Sequence, residues 1–213
     1  MTDDRDDTAE VLRRAEAGDA EAMEDLFRRH RPRLRRMVQL RISPILRGRA
    51  DPSDVIQESF LEAWRRLPDY LRNPDMPFFL WLRFLVRQQL FALHRRHAGV
   101  KARDPRREVA LYDGTMPEAS SEALASQLLG QLPSPSEALA RAEMQTRMQE
   151  GLDALDPDER EILALRHFEQ LTTAEAAREL GISEAAAGKR YLRALRRLQG
   201  LLVSLGFEAG SLG

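Results

Sequence analysis

Apolar residues return every three or four positions along most of this chain, and no segment alternates apolar and polar residues. That spacing gathers side chains on one face of an α-helix, whereas a half-buried strand repeats every two. The expected fold class is therefore all-α. Asp7 or Thr8 caps a first helix carrying Val11, Leu12 and Ala15, and Gly18 ends it. Asp19 caps a second, with Ala22, Met23, Leu26 and Phe27 in one stripe. Pro32 suits the first turn of a third, which buries Leu34, Met37 and Val38. Asp51 or Ser53 opens a fourth, on which Ile56, Phe60, Ala63, Trp64 and Leu67 recur, and Pro68 is expected to stop it. A loop over 68–76 follows. Pro77 then opens a long helix to about His97, with Phe78, Trp81, Leu82, Leu85 and Leu93 among its apolar positions.

The pattern fades between Gly99 and Pro135. These 37 residues hold Gly114, Gly130, four prolines and a serine-rich stretch. So long an aperiodic segment is unusual inside a compact domain, so residues 99–135 are expected to be a long flexible linker, with transient helix at most around Ala119–Leu129. The expected organisation is a domain over 1–98, the linker, a second domain over 136–205 and a tail over 206–213. In the second domain Ser136 can cap a helix with Leu139, Met144, Met148, Leu152 and Leu155. Asp156-Pro157-Asp158-Glu159 is a dense start signal for another, running to about Glu169.

Charge is distributed more tellingly than its formal sum of −1. Residues 83–107 carry eight basic side chains against Asp104 alone, 108–140 carry five acids and no base, and 184–197 carry five bases against Glu184. Two polyanion-facing patches flank an anionic connector. Cysteine is absent, which removes disulfides and thiolate ligands. No apolar run reaches the ~20 residues needed to span a bilayer, so no membrane insertion is expected. The acidic start MTDDRDD lacks the character of a signal peptide. A cytoplasmic protein is the expectation. His30, His94, His97 and His167 form no ligand pair with carboxylates, and no nucleophile motif or phosphate-binding glycine loop occurs. The expected catalytic residues, metal ligands and cofactors are none, and the chain is not expected to be an enzyme.

A fairly specific local pattern is at 172–198. Thr172-x-x-Glu175 boxes the start of a short helix, Gly181-Ile182-Ser183 makes a turn, and a basic helix follows. This reads as a helix-turn-helix, whose second helix offers its first turns to the major groove. Small residues there permit close approach and donors lie just beyond: Ala185 and Gly188, then Lys189, Arg190 and Arg193. Ala176, Ala177, Leu180, Ile182, Ala187, Leu192, Leu195 and Leu198 read as packing. Arg196 and Arg197 are expected to touch phosphate or stay solvated.

The first domain carries a longer motif. Asp51-Pro-Ser-Asp54-Val-Ile-Gln57-Glu58-Ser-Phe-Leu-Glu-Ala-Trp64 resembles the region 2.2 signature of bacterial RNA polymerase sigma factors, and Pro77-Phe-Phe-Leu-Trp-Leu82 resembles the segment after it. Residues 171–198 are similar to the helix-turn-helix of the same family's domain 4. The nearest group is the extracytoplasmic-function (ECF) sigma factors of the sigma-70 family, which keep domains 2 and 4. The resemblance implies two helical domains that bind core RNA polymerase and promoter DNA to direct initiation, with an anti-sigma factor as a partner it leaves open. By that match Asp51, Asp54, Gln57 and Glu58 serve polymerase binding, Asp51 chiefly as a cap. Tyr70, Asn73, Arg87, Gln88, Arg95 and Arg96 would meet the −10 element, Tyr70 as a stacking face for an unstacked base or as ordinary packing. Ala185, Gly188, Lys189, Arg190 and Arg193 would meet the −35 element. Gly188 stands where relatives often carry a basic or polar residue, and Gln88-Gln89 replaces a common Arg-Asn pair. A stand-alone helix-turn-helix regulator is the alternative, and it leaves the 51–64 signature unexplained.

Overall fold

The computed structural model describes residues 3–42, 46, 51–98, 118–131 and 138–204, and every regular element among them is helical. Two compact units emerge. Among the described residues, 3–38, 42, 46 and 51–98 form one, and 39–41, 118–131 and 138–204 form the other.

The first unit contains α1 (Asp3–Glu16), α2 (Ala20–Arg41, whose last three residues cluster with the second unit), α3 (Pro52–Arg72) and α4 (Phe78–Ala98). Asp19 caps α2 by accepting from the backbone N–H groups of Glu21 and Ala22 at 3.0 and 3.1 Å. Its carboxyl is held below the usual range, first by the Arg14 guanidinium bonded to it. α3 packs on α4, and α1 on α3. Between α2 and α3, Phe27 stacks on Phe60 with centroids 4.2 Å apart.

Two prolines behave differently from expectation. Pro32 does not start a helix and Pro68 does not end one; both lie inside α2 and α3. An interior proline costs roughly 3 kcal/mol through its lost N–H and ring clash. Here both rings sit on exposed faces, where water can serve the carbonyl left without a partner. Beyond each proline the inward stripe goes on, with Leu34, Met37 and Val38 in α2 and Tyr70 in α3 buried. Each such side chain contributes roughly 1.5–3 kcal/mol of burial, so the three beyond Pro32 outweigh its penalty; beyond Pro68, Tyr70 adds to its burial a hydroxyl bond to Met76 and ring contacts with Phe78 and Trp81.

The second unit contains α5 (Ser121–Gln131), α6 (Ala138–Asp153), α7 (Pro157–Leu163), α8 (Thr173–Leu180) and α9 (Glu184–Ser204). A π-helical turn over Ala164–Phe168 extends α7, so the helical run ends close to where the sequence places it. α5 lies within the span read as linker. It packs on α6 and buries Leu124, Ala125, Leu128 and Leu129. The rest of that span, 99–117 and 132–135, and the proposed cap Ser136 lie outside the described residues. α9 packs against α6, α7 and α8.

Gly181 ends α8 in the left-handed region at φ 65° and ψ 30°, and the Ile182 N–H returns to the Ala177 carbonyl at 3.0 Å. Gly200, in contrast, lies within α9, and a Cβ there would meet nothing within 4 Å. Substituting alanine should therefore act with opposite sign at the two sites. Gly181→Ala should lower stability by about 1–2 kcal/mol, the usual left-handed penalty, while Gly200→Ala should raise it by about 0.5–1 kcal/mol. Urea denaturation of the two variants beside the parent chain checks both signs.

Candidate polymerase and nucleic-acid surfaces

α3 is divided lengthwise by its pattern. Val55, Ile56, Ser59, Ala63, Leu67 and Tyr70 are buried. On the opposite face Asp54, Gln57 and Glu58 are exposed, and Leu61 and Trp64 continue the same strip at 56% and 49% exposure. The sequence reading of Trp64 as a core residue is therefore wrong: the three-and-four spacing from Phe60 to Trp64 runs over the edge of the stripe. Leu61 was not singled out at all. Asp51 begins this helix as its cap, with Oδ1 accepting from the Ser53 N–H at 2.8 Å. That backbone hydrogen bond holds its carboxyl below the ordinary range.

The segment between α3 and α4 is shorter than expected, because α3 runs on to Arg72; Asn73 follows as its C-terminal cap and is exposed. Tyr70 is on the helix, not on the loop. Its ring stacks on Trp81 with centroids 4.6 Å apart and meets Phe78 edge-on at 5.7 Å. Its hydroxyl donates to the Met76 carbonyl at 2.9 Å. Tyr70 is thus buried packing that ties the loop to both helices, and no open stacking face remains for it to offer.

Along α4 the candidate −10 residues separate. Gln88, Arg95 and Arg96 are exposed, and Arg87 is half-buried with its guanidinium 5.0 Å from the Phe84 ring centre. Arg96 also lies 3.9 Å from Glu58 of α3. Arg83, counted with the basic patch in the sequence, is buried. A denser cationic run escaped that count: residues 28–41 carry seven arginines and His30 with no acid. Arg28, Arg29, Arg31 and Arg35 of this run are exposed, and the Arg33 guanidinium lies 3.5 Å over Phe79 at the start of α4. A charge scan begun at residue 20 would have found it.

In the second unit the helix-turn-helix forms as the sequence implies. Thr172 and Glu175 close a capping box, with the Glu175 N–H donating to Thr172 Oγ1 at 3.1 Å and the Thr172 N–H to Glu175 Oε2 at 2.8 Å. Ser183 caps α9 by accepting from the Ala186 N–H at 3.2 Å. Ala187, Ala194 and Leu198 face inward. On the outward ridge lie Ala185, Lys189, Leu192 and Arg196, all exposed. Leu192 at 54% exposure corrects its reading as packing. Gly188 is beside α8, where a Cβ would meet Thr173 Cγ2 at an ordinary 3.8 Å. Arg190 and Arg193 are on the flank of the ridge, paired with acids of α7: Arg190 with Asp158 at 2.9 Å and Arg193 with Glu159 at 2.6 Å.

Both parts of the chain match known proteins. Residues 26–99 match the family model Sigma-70 region 2, and residues 145–198 match Sigma-70, region 4. The chain is 30% identical over 197 residues to the ECF RNA polymerase sigma factor SigD of Mycobacterium tuberculosis, covering 92% of this chain and 84% of that one. It is 32% identical over 209 residues to the RNA polymerase sigma factor NccH of Alcaligenes xylosoxydans xylosoxydans, covering 96% and 98%. The fold is similar to that of CnrH in its solved complex with the cytosolic domain of CnrY, with a TM-score of 0.52 and 24% identity over 94% of this chain and 97% of that one. No helix among the described residues is long and apolar enough to cross a membrane.

The Tyr70 contacts give a test of the loop's support. Tyr70→Phe should keep the stacking and lose the bond to Met76, lowering stability by about 0.5–1.5 kcal/mol. Burial also pushes the phenol up to about 12, above its ordinary value of about 10. The folded state then resists ionisation more than the unfolded one, so stability is intact below about pH 10 and falls as pH rises through about 12. The Phe variant should lack that part of the alkaline loss in denaturation curves taken across this range.

Proposed function

The chain belongs to the ECF group of sigma-70-family RNA polymerase sigma factors, and we propose that its helix faces divide that work between polymerase docking and two promoter contacts. It binds core RNA polymerase and directs promoter-specific transcription initiation. The stand-alone regulator is not favoured.

One observation carries the docking assignment: α3 leaves a strip of Asp54, Gln57, Glu58, Leu61 and Trp64 exposed opposite its buried face. The first three are polar and suit solvent, but two large apolar side chains among them suit a partner surface better. Asp54, Gln57 and Glu58 supply the polar complement to a basic helix of the polymerase. Asp51 contributes by starting the helix that presents them.

For the −10 element, Asn73 and the short loop after it meet an unstacked base. Tyr70 serves by anchoring that loop rather than by stacking on the base, and Arg87, Gln88, Arg95 and Arg96 follow the strand beyond it, mainly against phosphate. For the −35 element, Ala185, Gly188 and Lys189 approach base edges while Arg190 and Arg193 stand at the groove wall. The protein contributes recognition and no catalysis of its own, and it acts in the cytoplasm. CnrH was solved with the cytosolic domain of CnrY, and an anti-sigma factor that covers the same faces is part of this reading.

Replacing Asp54 and Glu58 together with lysine should abolish co-purification with core polymerase, while circular dichroism stays that of the parent. Trp64→Ala should weaken the same association by about 2 kcal/mol with little change in stability, as expected of an exposed anchor. Association at the parent level in both variants would reject the α3 assignment. On the DNA side, Lys189→Ala should cost about 1–3 kcal/mol at one −35 position and little at the others if the ammonium reads a base edge. Holoenzyme binding to a set of single-base promoter variants measures it.

A further inference from the structure

Glu159 sits in the first turn of α7 and is 2% exposed, an unusual place for a carboxylate. Its two oxygens serve two arginines of the recognition helix. Oε1 accepts from Arg193 Nε at 2.6 Å, and Oε2 accepts from Arg197 Nη1 at 2.6 Å. The arginines are four residues apart, one turn of α9, and share a flank of it. Yet neither is buried: their side chains are 60% and 55% exposed. Each guanidinium is therefore held at one side by a buried acid and stands in solvent at the other, with several of its five N–H donors beyond the one used.

At 100° per residue, Arg193 and Arg197 lie roughly 70–110° around α9 from the ridge of Ala185, Lys189, Leu192 and Arg196. A helix that sends its ridge toward base edges sends such a flank toward the sugar-phosphate wall. A free arginine loses much rotamer freedom when it binds phosphate, whereas one already fixed loses little. Asp158 holds Arg190 at 2.9 Å but is itself 64% exposed, so it restrains less than the buried Glu159.

We propose that Glu159 is a positioning residue for promoter binding: it holds Arg193 and Arg197 as a preset pair of phosphate contacts beside the recognition ridge. The proposal rests on reading α9 as the −35 reader. It has a counterintuitive sign. An acid next to a DNA-facing helix subtracts positive charge, so simple electrostatics makes its removal strengthen binding. A positioning role makes its removal weaken binding.

The test uses the full chain in reconstituted holoenzyme, with promoter binding measured over a salt series and a set of −35 variants. Glu159→Gln keeps the shape but has a single oxygen to accept with, and its NH2 opposes the second arginine. It should weaken binding about tenfold on every −35 sequence alike, and lower the slope of log K against log salt by about one to two, the count of phosphate contacts at stake. The double variant Arg193→Ala, Arg197→Ala should show the same loss, and adding Glu159→Gln to it should change nothing more. Arg193→Lys retains charge without the guanidinium fork, and severalfold weaker binding by it supports the clamp even if Glu159→Gln fails to fold. Equal or tighter binding by a folded Glu159→Gln overturns the proposal, as does an undiminished Glu159→Gln effect in the arginine-free background. Parent-level binding by Arg193→Lys overturns it too. If Lys189→Ala and the double arginine variant both bind like the parent, the −35 reading of α9 has failed; if Lys189→Ala weakens binding and Glu159→Gln does not, the clamp alone has.

Discussion

A helix packed at the edge of a small unit can bury only one of its faces, and in this protein that constraint decides what is left for partners. The first unit builds its core by laying the inner stripe of α3 against α4, with Tyr70, Phe78 and Trp81 in mutual ring contact. The outer stripe is then fixed in composition and register by the same turn of the helix. Each buried position at Ile56, Ala63 or Leu67 determines which residues stand opposite. A polar outer stripe would be the solvated default; Leu61 and Trp64 depart from it. In the second unit α9 buries Ala187 and Ala194, residues small enough to let α8 and α7 approach closely. That close packing brings Glu159 within reach of the flank of α9.

How far all this was legible depends on whether a signal is local. Most caps were readable, because a cap is a bargain among three or four neighbours: Asp19, Asp51, Asp156, Thr172 and Ser183 all accept backbone N–H bonds where their sequence context places them, whereas Asp7 and Thr8 lie inside α1, which begins at Asp3. Gly181 was readable for the same reason. The prolines were misread because their outcome is settled elsewhere in the unit. Pro32 and Pro68 carry a local penalty that tertiary burial of the following residues outweighs. α5 shows the same competition from the other side. Its flanking prolines and serines suggest a tether, yet Leu124, Ala125, Leu128 and Leu129 make a stripe with somewhere to pack.

The site residues divide along the same line. Asp54, Gln57 and Glu58 came from a long motif and are exposed together on one face, as a shared surface requires. The role given to Tyr70 comes from the same resemblance, and a helix end at Pro68 would have placed it on the loop. Once α3 continues, the helical period turns Tyr70 inward, onto Trp81. Trp64 follows the three-and-four spacing past the edge of the buried stripe, and Leu192 is apolar without being buried, as much exposed surface is in any protein. The Glu159 contacts were not legible by any local rule. In sequence Glu159 reads as the last member of a helix start signal, and its partners lie 34 and 38 residues away.

With α9 as the proposed −35 reader, its two kinds of cation would let one helix serve both affinity and discrimination. Lys189 has a flexible stem and a compact charge and is exposed on the outward ridge, where it would reach a base edge opposite it. Such a contact would discriminate because an ammonium only donates, so it bonds base edges that present acceptors and not those that present donors. Arg193 and Arg197 are restrained by a buried carboxylate, which removes that freedom and with it most capacity to follow a changing base. What restraint suits is a target that never changes, which the phosphate spacing along a groove wall would supply. Two preset wall contacts would also fix the depth and angle at which the ridge enters. Contacts that carry no sequence information of their own would then sharpen those that do, because Lys189 and Ala185 would meet the bases in one docking geometry instead of several.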